Sequence, residues 1–284
     1  MKDYITKAIK TFYGAIDDKN TRYRSWEWCY SAFNDKRKEY YETNEENKKE
    51  EIVDYLALHL GFYLASWGMY RGSSFLLQRD YKAHIKAVKI LLEGQYKYLW
   101  GYNPSNKNIC GLIFEREDCL YNRIKNSYKV QTNGEDKASN EDYIASDTLV
   151  TKILMGTMGC VPAFDRFLKK GISWFKGKNE KDKYKNLTQT IDNSGKTYDA
   201  LREICADYKD YLKVEGATLY TEMKCLDMFL WQVGFELDLC DNLKNDNKKN
   251  EHQKLINIAN KLGLSEKNDK GEIIDNIKKR WGIQ

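Results

Sequence analysis

Proline occurs only twice in 284 residues, against a usual share near 5%. Proline ends or kinks a helix, so a chain nearly free of it can run one long helix after another. The hydrophobic pattern fits that freedom. Apolar residues recur about one turn apart, as in Ile5, Ile9, Phe12 and Ile16, and no strand-like alternation of useful length appears. The expected fold is all-α: a multi-helix bundle over residues 1–240 with a small, basic C-terminal helical hairpin over 251–284.

Individual segments sharpen this expectation. Ile52, Leu56, His59, Leu60, Tyr63 and Trp67 lie on a helix that is apolar on almost every side, which predicts a place at the bundle centre. Arg71-Gly72-Ser73-Ser74 breaks it, and Ser73 or Ser74 is placed to cap a fourth helix through Leu77, Tyr81, His84, Val88 and Leu91. A turn over 101–108, a fifth helix over 110–128 and a loop over 132–141 follow. Asp147 is expected to cap a sixth helix, and Pro162 to open a seventh. Residues 218–240 read as a second central helix, whose Asp227, Gln232 and Glu236 need partners or must face out. After a polar break, Leu255, Ile258, Ala259 and Leu262 mark one short helix, and Ile273, Ile274, Ile277 and Trp281 a second.

Composition removes several function classes. Mean hydropathy is −0.74, and the longest apolar stretch, residues 56–69, falls short of the roughly 20 residues that span a bilayer; no membrane partner is expected. The seven cysteines include no C-x-x-C pair, and their apolar settings make them small buried hydrophobes. Three histidines are too few for a His-rich metal site. No phosphate loop is present, so neither cofactor nor metal is expected. The opening residues Met1-Lys2-Asp3-Tyr4 lack a signal peptide's apolar core, which points to the cytoplasm. Net charge is +5, and it is uneven. Residues 243–284 hold ten basic and six acidic side chains, leaving the rest nearly neutral. Such asymmetry marks either a surface for an anion such as nucleic acid or a solvated terminus. The aromatic and basic run from Arg22 to Tyr30 reads as core packing with snorkelling arginines. Gly156 and Gly159 read as sites of close helix–helix approach.

One motif carries chemistry. Arg79-Asp80-Tyr81-Lys82-Ala83-His84 is an R-D-x-x-x-H sequence that resembles the signature of the all-helical HEPN ribonucleases. The resemblance implies that His84 is the acid–base residue, Arg79 the phosphate ligand and Asp80 a polar orienter, in a cleft at a homodimer interface. Those roles suit metal-independent RNA cleavage. Histidine titrates near neutrality, and the guanidinium fork stabilises charge building on phosphate. A second reading stands beside it. Five residues turn about 140° around an ideal helix, so Arg79 and His84 would not share a face. His84 would then align with the apolar residues as a buried, hydrogen-bonded histidine.

Two further resemblances are local. The stretch from Leu262 to Ile277 is similar to SAP-type helix–loop–helix modules, which implies that Lys267, Lys270, Lys278, Lys279 and Arg280 meet phosphates. Residues 64–74 and 159–167 resemble pieces of an uncharacterised bacterial all-helical family, which implies a bacterial source. Within those pieces Arg71 and Arg166 sit among aromatic residues. They are candidates for an anionic ligand or for ion pairs with Asp165 or Asp227. The functional expectations are a nucleic-acid-associated protein, a HEPN-like ribonuclease, or a protein–protein scaffold.

Overall fold

The computed structural model describes residues 1–14, 20–72, 74–100, 109–129, 144–179, 182–191, 194–245 and 269–283. The 101–108 turn, the 132–141 loop, the helix expected through Leu255 and Leu262, and Lys267 lie outside the described residues. The fold is all-α, with no strand among the described residues. No described helix is long and apolar enough to cross a membrane.

Two helices organise the molecule. α9 (Glu222–Asn245) is enclosed on every side along its first half, where Met223, Leu226, Phe229, Leu230, Trp231 and Val233 are all buried. Around it pack α1 (Lys2–Gly14), α7 (Arg166–Lys178) and α8 (Lys196–Asp207). The second organiser is α6 (Asp147–Thr157), whose residues from Leu149 onward are all buried. It meets α2 (Ser25–Glu42) and α3 (Glu46–Ser66). α4 (Ile85–Leu91) and α5 (Leu120–Ser127) close the side beyond α3.

Glycines set how closely these helices approach. A methyl on Gly171 would overlap the Leu230 carbonyl, and one on Gly234 the Phe167 carbonyl. The α7 and α9 backbones therefore touch where they cross, which only residues without a Cβ permit. Gly156 does the same for the Tyr63 ring of α3. Gly159 adopts φ +62° and ends α6, its amide donating to the Leu154 carbonyl at 3.0 Å.

The core carries charge. Lys224 pairs with Asp227 at 2.9 Å and Lys152 with Asp165 at 3.3 Å. Both ammonium groups lie over aromatic faces, Lys152 on Trp67 and Lys224 on Phe12 and Trp26. Asp227 also accepts from the Ala163 amide, and Asp165 from the Trp231 indole. These bonds pin the 159–166 connection, helped by Tyr198 on the Cys160 carbonyl and Thr221 on the Gly159 carbonyl. Buried charge is tolerated where partners and hydrogen bonds surround it.

Several boundaries differ from the sequence expectation. The fourth helix is not continuous. Two 3-10 turns, Phe75–Gln78 and Tyr81–His84, precede a short α4. Ser74 caps the first turn, and Asp80 caps the second by accepting from the Lys82 amide. Arg79 between them is extended, and Leu77 is exposed rather than on the apolar face. The fifth helix is likewise divided into a π-turn, Gly111–Glu115, and α5. The cap of α6 is Ser146, and that of α7 is Asp165, three residues past Pro162. Side-chain capping by these residues outcompetes helix continuation.

The C-terminal segment is tied to the body. α10 (Lys270–Arg280) opens with a capping box of Asp269 and Glu272, and buries Ile273, Ile277 and Trp281 in the common core. The Trp281 indole donates to Glu236 at 2.8 Å, and Arg280 pairs with the same carboxylate at 3.2 Å. The Trp174 indole donates to the Trp281 carbonyl at 3.1 Å. Glu236, fully buried, thus finds its partners in α10 and in Gln232. Burial still pushes its carboxyl above the usual range, against the pull of Arg280.

Candidate functional site

The R-D-x-x-x-H residues do not converge on an open cleft. Asp80 ends the extended stretch and directs the chain into the turn that carries His84 inward. Gly61 on α3 lets that turn lie close, since a methyl there would meet the Tyr81 Cβ at 3.1 Å. His84 is fully enclosed. Tyr70 sits 2.6 Å from its Nε2 and Tyr128 2.7 Å from its Nδ1. A neutral imidazole donates from one nitrogen and accepts at the other, so the two hydroxyls satisfy it completely. Burial holds its pKa down to about 4, outweighing the opposing Asp80 charge. Burial, with Asp80 adding to it, raises Tyr70 to about 12. Arg79 and Asp80 remain exposed. An acid–base group must reach a substrate proton within hydrogen-bond range; in this structure His84 presents neither nitrogen to solvent.

The phosphate-binding set is also divided. Lys279 is exposed, and Lys270 and Lys278 are half-buried. Arg280 is engaged with Glu236 inside the fold. Within the described part of the tail the basic side chains are interleaved with Asp269, Glu272 and Asp275. Glu272 falls in the first turn of α10 and Lys278, Lys279 and Arg280 in its last, the order that complements the helix dipole.

Arg166 pairs with Asp238 at 3.3 Å, not with Asp165 or Asp227, and its side chain is 72% exposed. Those two aspartates are taken by the core lysines. Arg71 is exposed and folds its guanidinium over Gly68, where a Cβ would lie 2.7 Å from Cζ. Gly68 adopts φ +74°, so the turn after α3 suits glycine on both counts.

Three features were not singled out from the sequence. The first is a trio of donors, Cys110, Glu115 and Asp199, within 4.8 Å of one another. Cys110 is the N-cap residue of the π-turn and Glu115 ends it, and Asp199 is also engaged by Arg202 at 3.0 Å. Burial pushes the Cys110 thiol well above its usual range, so the group as it stands is a packed thiol. The second is a cleft of about 540 Å³ between α1 and residues 210–215, whose rim balances Lys10 and Lys213 against Asp210 and Glu215. The third is the outer face of α3. Tyr55, Leu58 and Phe62 are 42%, 52% and 58% exposed. Ala65 continues their line. The expectation that α3 is central holds for its inner face, where Ile52, Leu56, Leu60 and Leu64 are buried, and fails on this one.

Searches of family models, curated proteins and solved structures find no match to this chain.

Proposed function

We propose that this protein acts by binding rather than by catalysis, as an all-helical docking scaffold. The observation that carries the reading is the apolar line on α3. Isolated exposed apolar residues are ordinary on a protein surface, whereas a contiguous set at helical spacing marks an interaction surface. The enclosed His84 weighs against the ribonuclease reading, because its hydrogen bonds to Tyr70 and Tyr128 leave no nitrogen for RNA. Seven buried, unpaired cysteines accord with a reducing compartment, and we place the protein in the cytoplasm. Purified protein is expected to leave single-stranded RNA intact in the presence of a chelator. Cleavage that His84→Ala abolishes while the fold stays intact overturns the docking reading.

Nucleic-acid association is a second reading, favoured by the solvent-reachable Lys270, Lys278 and Lys279 on one short helix. Lys178 reaches the same end of the molecule, donating to the Gly282 carbonyl. This reading requires affinity that falls with salt, since lysine–phosphate contacts release counterions.

A further inference from the structure

From residue 51 onward the exposed side chains of α3 fall at residues 51, 55, 58, 62 and 65, with spacings of four, three, four and three. That alternation is the seam of a helix that packs lengthwise on another helix. A loop or a flat sheet would not call for it. The inner side of α3 is already occupied by α2, α6 and the turn carrying His84, and among the described residues no helix lies on the seam.

Resting on the docking reading, we infer that the occupant is α3 of a second copy of this chain, packed antiparallel about a two-fold axis near residue 60. In that register Tyr55 faces Ala65 of the second copy, and Leu58 faces its Phe62. Large side chains then meet small or complementary ones, the arrangement that fills an interface without voids. A parallel pair sets Phe62 on Phe62, Tyr55 on Tyr55 and Ala65 on Ala65, leaving crowding at two levels and a gap at the third.

Charge selects the same orientation. The N-terminal turns of α3 expose Glu46, Glu50 and Glu51. Arg71, just beyond its C-terminal end, is exposed as well. The Arg71 guanidinium lies over Gly68, the position that the two-fold axis sets opposite residue 52. Antiparallel packing therefore brings the exposed glutamates of each copy towards Arg71 of the other, twice by symmetry. Parallel packing would put the glutamates together. The seam is short, four apolar side chains per copy, so the dimer should be reversible and dependent on concentration.

Sedimentation equilibrium of the full chain tests this. The expected result is a monomer–dimer equilibrium that the double variant Leu58→Glu/Phe62→Glu abolishes. Circular dichroism and melting temperature should be unchanged, because both side chains are exposed. Glu51→Arg and Arg71→Glu should each weaken the dimer about tenfold, equivalent to roughly 1.4 kcal/mol, and their combination should restore it. A chain that stays monomeric at every concentration overturns the second-copy inference, as does a dimer indifferent to Leu58→Glu/Phe62→Glu. Neither result touches the separate RNA-cleavage assay, whose outcome decides the docking reading itself.

Discussion

His84 shows how a single side chain can belong to two readings until its surroundings are known. The sequence places it five residues from an arginine and also in line with Val88 and Leu91. What it could not show are Tyr70 and Tyr128, 14 and 44 residues away, which complete its hydrogen bonds. A histidine whose folded pKa is about 4, against about 6.5 when unfolded, stabilises the fold in its neutral form. That contribution is fully present above pH 6.5 and is lost as pH falls from there towards 4, up to roughly 3 kcal/mol in all. Denaturant titrations across this range should show the decline, and His84→Gln should flatten it. Tyr70→Phe strands a ring nitrogen and should cost about 1–3 kcal/mol. The buried carboxylates of α9 were more legible. Residues 218–240 are so apolar that Asp227 and Glu236 needed partners or had to face out, and the structure supplies partners in Lys224, Arg280 and the Trp281 indole.

Helix identity was readable from period, and helix boundaries were not. His84, Val88 and Leu91 are buried as the pattern implies, but Leu77 is exposed, and two 3-10 turns replace the continuous helix. The reason is local. Asp80 bonds the amide two residues on, a competing geometry that hydrophobic period does not register. The α7–α9 crossing was invisible too, because Gly171 and Gly234 are 63 residues apart and neither lies at a turn. Gly234→Ala should destabilise by about 3 kcal/mol or more, since the methyl meets backbone that cannot rotate away. Urea unfolding measures this directly, and Gly177→Ala, at an open position on α7, is the control. For α10, Trp281→Ala should cost about 3–5 kcal/mol by emptying a site sealed by Tyr4, Trp174 and Glu236.

At the scale of the molecule, the all-α class followed from scarce proline and a 3.6-residue period. The surfaces did not follow. A helix apolar all round looks central in sequence, and only packing reveals that one face of α3 has no neighbour among the described residues. The tail misleads in the opposite sense. The polar break before it suggested a separate unit, whereas Trp281 and Arg280 anchor its described part. Deleting residues 243–284 would therefore damage the core as well as remove lysines, and point substitutions are the sounder probe. If the tail binds nucleic acid, each of Lys270→Glu, Lys278→Glu and Lys279→Glu should lower the slope of log affinity against log salt by about 0.7–0.9. Fluorescence anisotropy at several salt concentrations reads that slope, and a slope unchanged by all three removes the tail from the interface.

Binding without catalysis stands most directly on the state of the His84 imidazole, and NMR titration of its ring protons reads that state. The expected midpoint lies near pH 4, with the ring signals unmoved by added single-stranded RNA. A midpoint near 6.5, with ring signals that shift on RNA addition, would show an accessible acid–base group and contradict it.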